Sequence, residues 1–269
     1  MDNLREAVIS AAVHVKEKMK VAPASGSAGA FVTGLDLSKP LQTEDVGRLR
    51  RALLDHLVVA LPDQNMSLDD LERLTDALGG RDVTPFVKAL PDRPYVIRIL
   101  KEPQDTLNFA NAWHTDLCLQ ETLLGLRAVH SAGMAYGTGG YLDGVKHLMS
   151  TPIEPSKDAY REQVHPTVIA HPETGRSALY LNPVYTTRIS GWTNQESQGL
   201  LQHIYRHAVN ENFTWRLRWA KGTLAIWDNR STQHFALNDY HGHRREMVRT
   251  SVKGGKPERA IRIGEARPH

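Results

Sequence analysis

The sequence has 269 residues, of which 41% are hydrophobic and 23% are charged, and its formal net charge is +3. This composition is typical of a globular protein, most simply a single domain over residues 1–269, and no apolar run approaches the roughly 18 residues of a membrane span. The scattered basic residues argue against a nucleic-acid partner. The single cysteine, Cys118, excludes an internal disulfide framework and a cysteine-rich zinc site.

The first 20 residues carry apolar side chains at helical spacing. The apolar run at residues 7–15 follows Asp2 and Glu6, precedes Lys16 and has no small-residue cleavage site, so it lacks the pattern of a secretion signal. We therefore expect a helix over residues 1–20, packed on the domain or on a second subunit, in a cytoplasmic homodimer or homotetramer.

The next part of the chain alternates loops, strands and helices. The pattern predicts a loop at residues 22–29, a strand at 30–35, a helix beginning at Thr43, a strand at 57–61 and a second helix ending before Gly79. Ser67 with Asp70 forms a predicted capping box at the start of that second helix.

After Pro94, short segments rich in β-branched and aromatic residues predominate. They predict strands at residues 95–100, 164–170, 179–181, 215–219, 223–227 and 247–252. Thr193 with Glu196 predicts the capping box of one further helix. Many short strands favour a β-barrel or sandwich with helices packed outside it, and the alternative is an open α+β sheet.

The first candidate for metal chemistry is segment 111–116, which contains His114 and Asp116. Residues i and i+2 of a strand point to the same face, so one imidazole and one carboxylate can bind one ion. His-x-Asp also occurs often by chance, and a surface histidine beside an aspartate is the alternative for this motif alone.

A second histidine, His234, lies far along the chain after segment 227–233. With His114 and Asp116 it would complete a set of two histidines and one carboxylate, which leaves three adjacent coordination positions open. Such a site is typical of non-haem iron(II) oxygenases, because O₂ and a bidentate co-substrate need neighbouring positions. A structural zinc site would instead have a closed shell of four ligands.

Two arginines, Arg245 and Arg249, follow on the next predicted strand. Their even separation places both on one face, and a guanidinium binds a carboxylate through two parallel hydrogen bonds, which lysine cannot do. A solvated charge is the alternative for Arg245 alone. Together with the two histidines and the aspartate, the arginines predict an anion site beside the metal.

These motifs resemble those of the taurine dioxygenase family, the TauD/TfdA group. The resemblance rests on segments 113–116, 227–234, 238–240 and 244–245, and it extends to 32–37 and 164–252. It therefore covers most of the chain from about Val21.

The resemblance implies a mainly β fold with flanking helices, in which a double-stranded β-helix, a jelly roll of the cupin kind, forms the core. It implies that His114, Asp116 and His234 bind iron(II). Arg245 would bind the distal carboxylate of 2-oxoglutarate.

The resemblance also implies the reaction. With O₂, 2-oxoglutarate would give succinate and CO₂ while a small anionic substrate is hydroxylated, for example a sulfonate, an alkyl sulfate or an aryloxyalkanoate. Arg249, Tyr185 and Asn111 would contact this substrate, and no catalytic residue is expected beyond the metal centre. The carboxylate of Asp116 excludes the related halogenases, in which a small residue replaces it.

The sequence departs from the family pattern after Thr122. Family members continue through a glycine-rich turn with a threonine that contacts 2-oxoglutarate, whereas here Thr122 is followed directly by Leu123. Because the loss of barrel strands would leave unpaired edges, we expect the native chain to contain an additional segment between Thr122 and Leu123 that forms a lid and two strands. The alternative is a truncated barrel.

Two other functions are compatible with parts of the pattern. A non-catalytic cupin-type protein that binds a metal or ligand would need the metal site but not Arg245. A hydrolase would need an activated nucleophile, but the sequence contains no Gly-x-Ser-x-Gly motif and Cys118 has no identifiable base partner.

Overall fold

The structure, a computed structural model, describes residues 19–107 and 123–261, so the predicted N-terminal helix lies almost entirely outside the described residues. The strands are β1 (Lys20–Pro23), β2 (Ala30–Thr33), β3 (Val58–Leu61), β4 (Arg81–Asp82), β5 (Ala89–Leu90), β6 (Arg93–Lys101), β7 (Arg127–His130), β8 (Gln163–Pro166), β9 (Val168–Ala170), β10 (Ser177–Leu179), β11 (Thr186–Ile189), β12 (Leu224–Trp227), β13 (Arg245–Arg249), β14 (Ser251–Val252) and β15 (Glu258–Arg259). The α-helices are α1 (Thr43–His56), α2 (Leu68–Leu78), α3 (Gly133–Tyr136), α4 (Tyr141–Val145) and α5 (Asn194–Ala208).

The three long helices begin where the sequence predicts. At the start of α2 the Ser67 hydroxyl accepts a hydrogen bond from the Asp70 amide at 3.1 Å, and the Asp70 carboxylate accepts one from the Ser67 amide at 2.8 Å. Thr193 and Glu196 form the same reciprocal capping box before α5. Each box satisfies amide groups that have no partner within the helix, which fixes the first turn.

The N-terminal half packs α1 and α2 against a four-stranded sheet of order β1-β2-β3-β12. In this sheet β2 and β3 are parallel and the other pairs are antiparallel. The apolar stripes of the two helices and the buried side of the sheet share one core, which includes Ala30, Val32, Leu49, Ala52, Val59, Leu61, Leu74 and Leu78. The helices therefore lie outside the strands, as predicted.

The other strands form small sheets. Their orders are β13-β6-β5, β11-β7-β8, β10-β9-β15 and β14-β4. A second core joins α5 to several of these strands and includes Ala128, Val168, Leu179, Ile189, Leu201 and Ile204. No helix in the described ranges is long and apolar enough to cross a membrane.

One predicted strand, at residues 215–219, is wrong. These residues form no regular element, although Trp215, Leu217 and Trp219 alternate with polar residues. The Trp215 indole instead packs edge-to-face on Phe31, with ring centres 5.7 Å apart. The alternation thus reflects aromatic packing, since no described strand pairs with this segment.

Two other predicted strands are interrupted. The strand at 164–170 divides into β8 and β9 at Thr167, whose hydroxyl donates to the Leu123 carbonyl at 2.6 Å and whose amide donates to the Leu126 carbonyl at 3.1 Å. The strand at 247–252 begins earlier, at Arg245, and divides at Thr250. Further differences are that β1 occupies the start of the predicted loop at 22–29 and that β10 ends at Leu179.

Strands β12 and β13 border a common cavity. Among the described strands β12 pairs only with β3, and β13 pairs only with β6, so each is the edge of its sheet. The cavity, of about 1060 Å³, is lined by both strands and by apolar residues of α1 and α2, such as Leu53, Leu71 and Leu74. Edge strands present unpaired amide and carbonyl groups, and folded proteins usually cover them. The cavity therefore combines hydrogen-bonding edges with an apolar lining.

Candidate functional site

Strand β13 carries the two predicted anion-binding arginines on one face. Arg245, Met247 and Arg249 are half-buried, whereas the intervening Glu246 and Val248 are exposed. This is the alternation of a strand with one buried side. The structure thus places both guanidinium groups on the same side of β13, as their even separation predicts.

Both guanidinium groups lie over aromatic rings. Arg245 lies 5.9 Å from the ring centre of Trp219 and 5.7 Å from that of Tyr240, and Arg249 lies 5.4 Å from that of Trp227. Neither arginine forms an ion pair with a carboxylate in the part of the chain that the structure describes. The rings hold the cations in place without neutralising them, so both remain available to a bound anion.

The adjacent Arg244 differs from Arg245 in each of these respects. It is exposed, and it forms ion pairs with Glu102 at 3.1 Å and Glu246 at 2.7 Å. Of the two consecutive arginines, only Arg245 therefore has the environment of an anion-binding group.

The indole of Trp227 connects Arg249 to the predicted metal ligand His234. The ring centres of Trp227 and His234 are 4.8 Å apart, with planes inclined at 52°. Because Arg249 lies over the same indole, the side chain of Trp227 contacts both the predicted metal ligand His234 and the predicted anion-binding Arg249.

Asp228 shapes the turn that leads from β12 to His234. Its main-chain carbonyl accepts hydrogen bonds from the amides of Ser231 and Thr232, at 3.1 and 2.9 Å. Its carboxylate accepts one from the amide of Arg230 at 2.9 Å. Such a turn, in which an aspartate bonds to its own backbone, reverses the chain direction within a few residues. The position of His234 therefore depends on Asp228.

The buried carboxylate of Asp228 is held by two further side chains. Nδ1 of His171 lies 3.3 Å from the amides of Glu173 and Thr174 and accepts from them, so Nε2 carries the proton and donates to Asp228 at 2.9 Å. The Nε of Arg230 donates to the same carboxylate at 2.8 Å. Burial raises the pKa of Asp228, but the hydrogen bonds from Arg230 and His171 lower it further, to about 2.

A pair of tyrosines also lies near Arg249. The rings of Tyr136 and Tyr185 are stacked, with centres 6.5 Å apart and planes inclined at 13°, and Phe86 stacks on Tyr136 at 5.4 Å. Burial raises the pKa of both phenols, and both interact electrostatically with Arg249. Both hydroxyl groups are therefore neutral at ordinary pH. The hydroxyl group of Tyr136 is hydrogen-bonded to that of Tyr185 and raises its own pKa by doing so, which leaves the proton of Tyr185 to donate near the guanidinium.

The sequence predicts Tyr185 at the site but misses Tyr136 and His171. Tyr136 lies on α3, a single helical turn with no periodic sequence signal, and it contacts Tyr185 only because tertiary packing brings the two residues together. His171 precedes a predicted turn, and its contact with Asp228 joins residues more than 50 positions apart. No local pattern marks either residue.

The other predicted site residues, His114, Asp116 and Asn111, lie outside the described ranges. Within those ranges no three His, Cys, Asp or Glu side chains are grouped so that they could hold a metal ion. The described residues nevertheless fit an iron(II) centre with an anionic co-substrate, because His234 supplies an imidazole, Arg249 contacts the same indole as His234, and Arg245 lies on the same face of β13 as Arg249.

The model of the family described as "Taurine catabolism dioxygenase TauD, TfdA family" matches residues 20–123 and 119–251. The chain belongs to this family. An alpha-ketoglutarate-dependent sulfate ester dioxygenase of Pseudomonas putida is 28% identical, over 94% of this chain and 95% of its own length. An alkylsulfatase of Acinetobacter baylyi is 26% identical, over 88% of this chain and 86% of its own length.

Solved structures of the family are similar to this one. The crystal structure of a taurine dioxygenase from Burkholderia xenovorans has 26% sequence identity and a TM-score of 0.71, covering 89% of this chain and 90% of that chain. The predicted TauD/TfdA membership, double-stranded β-helix fold and dioxygenase activity are confirmed. The alternative of an open α+β sheet is wrong.

The match to the family model divides at residues 119–123, where the TauD/TfdA pattern is interrupted after Thr122. The alignment with the Acinetobacter baylyi alkylsulfatase extends over 282 positions but includes only 88% of this 269-residue chain. Several tens of positions in that alignment therefore have no residue of this chain, and the relative contains chain that this sequence lacks.

Proposed function

We propose that this protein is an iron(II)- and 2-oxoglutarate-dependent dioxygenase that hydroxylates a small anionic substrate. The observation that carries the proposal is the contact of one indole, that of Trp227, with both His234 and Arg249. A metal-binding group and an anion-binding group at this distance can hold a substrate beside a metal. A non-catalytic binding protein would not need Arg245 on the same face.

Arg245 is assigned to the distal carboxylate of 2-oxoglutarate. Its guanidinium has no carboxylate partner among the described residues, and the rings of Trp219 and Tyr240 lie within 6 Å of it. Two parallel N–H donors match the two oxygens of a carboxylate, so binding would be bidentate.

Arg249, Tyr136 and Tyr185 are assigned to the anionic group of the substrate. The guanidinium of Arg249 and the hydroxyl group of Tyr185, which accepts from Tyr136, provide several N–H donors and one O–H donor, which suits an anion with several acceptor oxygens. A sulfate ester, the substrate class in the name of the Pseudomonas putida relative, is such an anion. Sulfonates and aryloxyalkanoates are the other candidates, and Asn111 stays a predicted substrate contact.

His114, Asp116 and His234 would hold the iron, which when bound supplies the O₂-dependent oxidation of a substrate C–H bond coupled to the decarboxylation of 2-oxoglutarate. The chain's own contribution is to bind two anions through separate arginines on one strand face. The aromatic rings near these arginines restrict the positions of the guanidinium groups without neutralising their charge.

We also propose that the native protein is one domain that contains an additional segment between Thr122 and Leu123. The division of the family match at this place supports the proposal, as does the cavity between the edges of β12 and β13. One strand of the segment could pair with both edges and cover the leucines of α1 and α2. The cytoplasmic location and the homodimer or homotetramer stay predictions.

The proposed reaction is tested by measuring succinate from purified protein with iron(II), O₂ and 2-oxoglutarate. A panel of sulfate esters, sulfonates and aryloxyalkanoates would be compared with their uncharged analogues. We expect at least one anionic compound to stimulate succinate formation and to be consumed in equal amount. Binding of 2-oxoglutarate without any turnover across the panel would instead favour a non-catalytic binding protein.

A further inference from the structure

Lys101 is a buried cation with no role in the proposed function. It is the last residue of β6, it is only 3% exposed, and its Nζ has no hydrogen-bond partner among the described residues. Ile97 and Ile99 precede it at the same inward-facing positions of the strand. A lysine at the end of such an apolar row is costly, because a buried charge without a partner loses its hydration.

The partner of Lys101 across the sheet is Arg245. The two residues lie directly opposite each other in the antiparallel pair of β6 and β13, so their side chains share one face. Both cations also lie over the ring of Tyr240, with Lys101 Nζ at 5.1 Å and Arg245 at 5.7 Å from its centre. Like charges directly opposite each other destabilise a sheet unless an anion binds between them.

The carboxylate near Lys101, that of Asp105, does not provide this anion. Its Oδ2 accepts hydrogen bonds from the amides of Glu102 and Ser150, both at 2.9 Å, and it forms no ion pair with Lys101. The buried hydroxyl of Tyr240 also has no hydrogen-bond partner in the described part of the chain. Two cations and one hydroxyl group thus converge on a place that no described carboxylate fills.

We propose that Lys101 binds the distal carboxylate of 2-oxoglutarate together with Arg245, with Tyr240 lying between them. This assignment rests on the proposed function. Arg245 would hold two oxygens side by side, and the compact ammonium of Lys101 would add a third charge-assisted hydrogen bond from β6.

The test is calorimetric binding of 2-oxoglutarate and 2-oxopentanoate to Mn(II)-loaded protein, which does not depend on turnover. 2-Oxopentanoate has the same chain length but a methyl group in place of the distal carboxylate. Lys101→Met, which keeps the apolar stem, is compared with Lys157→Met, which removes an exposed lysine. We expect Lys101→Met to lower the affinity for 2-oxoglutarate by roughly 10- to 100-fold and to leave the affinity for 2-oxopentanoate unchanged. Lys157→Met should change neither affinity.

A second measurement separates binding from a structural role. If the ammonium of Lys101 has no anionic partner until 2-oxoglutarate binds, Lys101→Met should raise the melting temperature of the ligand-free protein, because it removes an uncompensated buried charge. The assignment would be overturned if Lys101→Met and Lys157→Met bound 2-oxoglutarate with equal affinity. It would also be overturned if Lys101→Met lost affinity for both keto acids by the same factor. Neither result would contradict the proposed function. If the wild-type protein bound 2-oxoglutarate and 2-oxopentanoate with equal affinity, both the assignment of Lys101 and the proposed function would be overturned.

Discussion

The imidazole of His171 lies 2.9 Å from the carboxylate of Asp228, and both side chains are almost completely buried. The carboxylate also binds Arg230, and the backbone of Asp228 forms the turn that leads to His234. A buried carboxylate held by hydrogen bonds from His171 and Arg230 therefore supports the position of a predicted metal ligand. Its contribution can be measured by removing the charge and varying the pH.

Asp228→Asn should lower the free energy of unfolding by about 2–4 kcal/mol at pH 7, because it leaves Arg230 without its buried partner. The pKa of Asp228 is about 2 in the folded protein against 3.8 ordinarily, so the contribution is present above pH 4 and is lost as the pH falls towards 2. Urea unfolding between pH 7 and 3 measures the difference. Asp158→Asn, which removes an exposed carboxylate paired with Arg161, is the control and should change little.

The two arginines of β13 should have separable effects. Arg245→Ala should raise the KM for 2-oxoglutarate by roughly 10- to 100-fold, since a carboxylate loses a bidentate partner. Arg249→Ala should instead raise the KM for the primary substrate. Arg244→Ala, which alters an exposed arginine already paired with Glu102 and Glu246, should change neither. Two variants that both altered only the 2-oxoglutarate dependence would contradict the substrate role of Arg249.

Tyr136→Phe should weaken binding of the anionic substrate by roughly 3- to 10-fold, because it removes the hydrogen bond that orients the hydroxyl group of Tyr185 beside Arg249 and keeps the ring stacked between Phe86 and Tyr185. The KM for 2-oxoglutarate should not change. Tyr160→Phe, which removes an exposed hydroxyl group bonded to the Thr138 carbonyl, is the matched control. A larger effect from Tyr160→Phe than from Tyr136→Phe would show that the hydroxyl group of Tyr136 does not contribute to the substrate site.

The additional segment is tested by peptide mapping of the protein from its natural source. Trypsin cleaves after Lys101 and Arg127 and at no position between them, so residues 102–127 of the present sequence form one peptide that contains the Thr122–Leu123 bond. We expect this peptide to be missing and replaced by others that continue beyond Thr122. Its detection by mass spectrometry would show that the native barrel is truncated and that the edges of β12 and β13 lack this strand.

Some parts of the fold follow from the sequence because their causes are local. The capping box of Ser67 and Asp70 and the apolar stripe of α2 lie within one short segment, and the structure has both as predicted. The same holds for the even spacing of Arg245 and Arg249, which alone places both on one face of β13.

Other parts depend on contacts between distant residues. The alternating pattern at 215–219 resembles a strand, but a strand also needs a partner, and Trp215 packs on Phe31 instead. Thr167 divides a predicted strand because its hydroxyl bonds to Leu123, more than 40 positions away. Lys101 becomes a candidate ligand-binding group only when the pairing of β6 with β13 places it opposite Arg245.

The central claim is that His114, Asp116 and His234 bind one iron(II) that 2-oxoglutarate then chelates. The most direct measurement is the visible absorption spectrum of the anaerobic protein with saturating iron(II) and 2-oxoglutarate. We predict a metal-to-ligand charge-transfer band for the wild type and its loss, together with the loss of all turnover, in Asp116→Ala. A wild-type spectrum without this band, or an Asp116→Ala variant that keeps full activity, would contradict the claim.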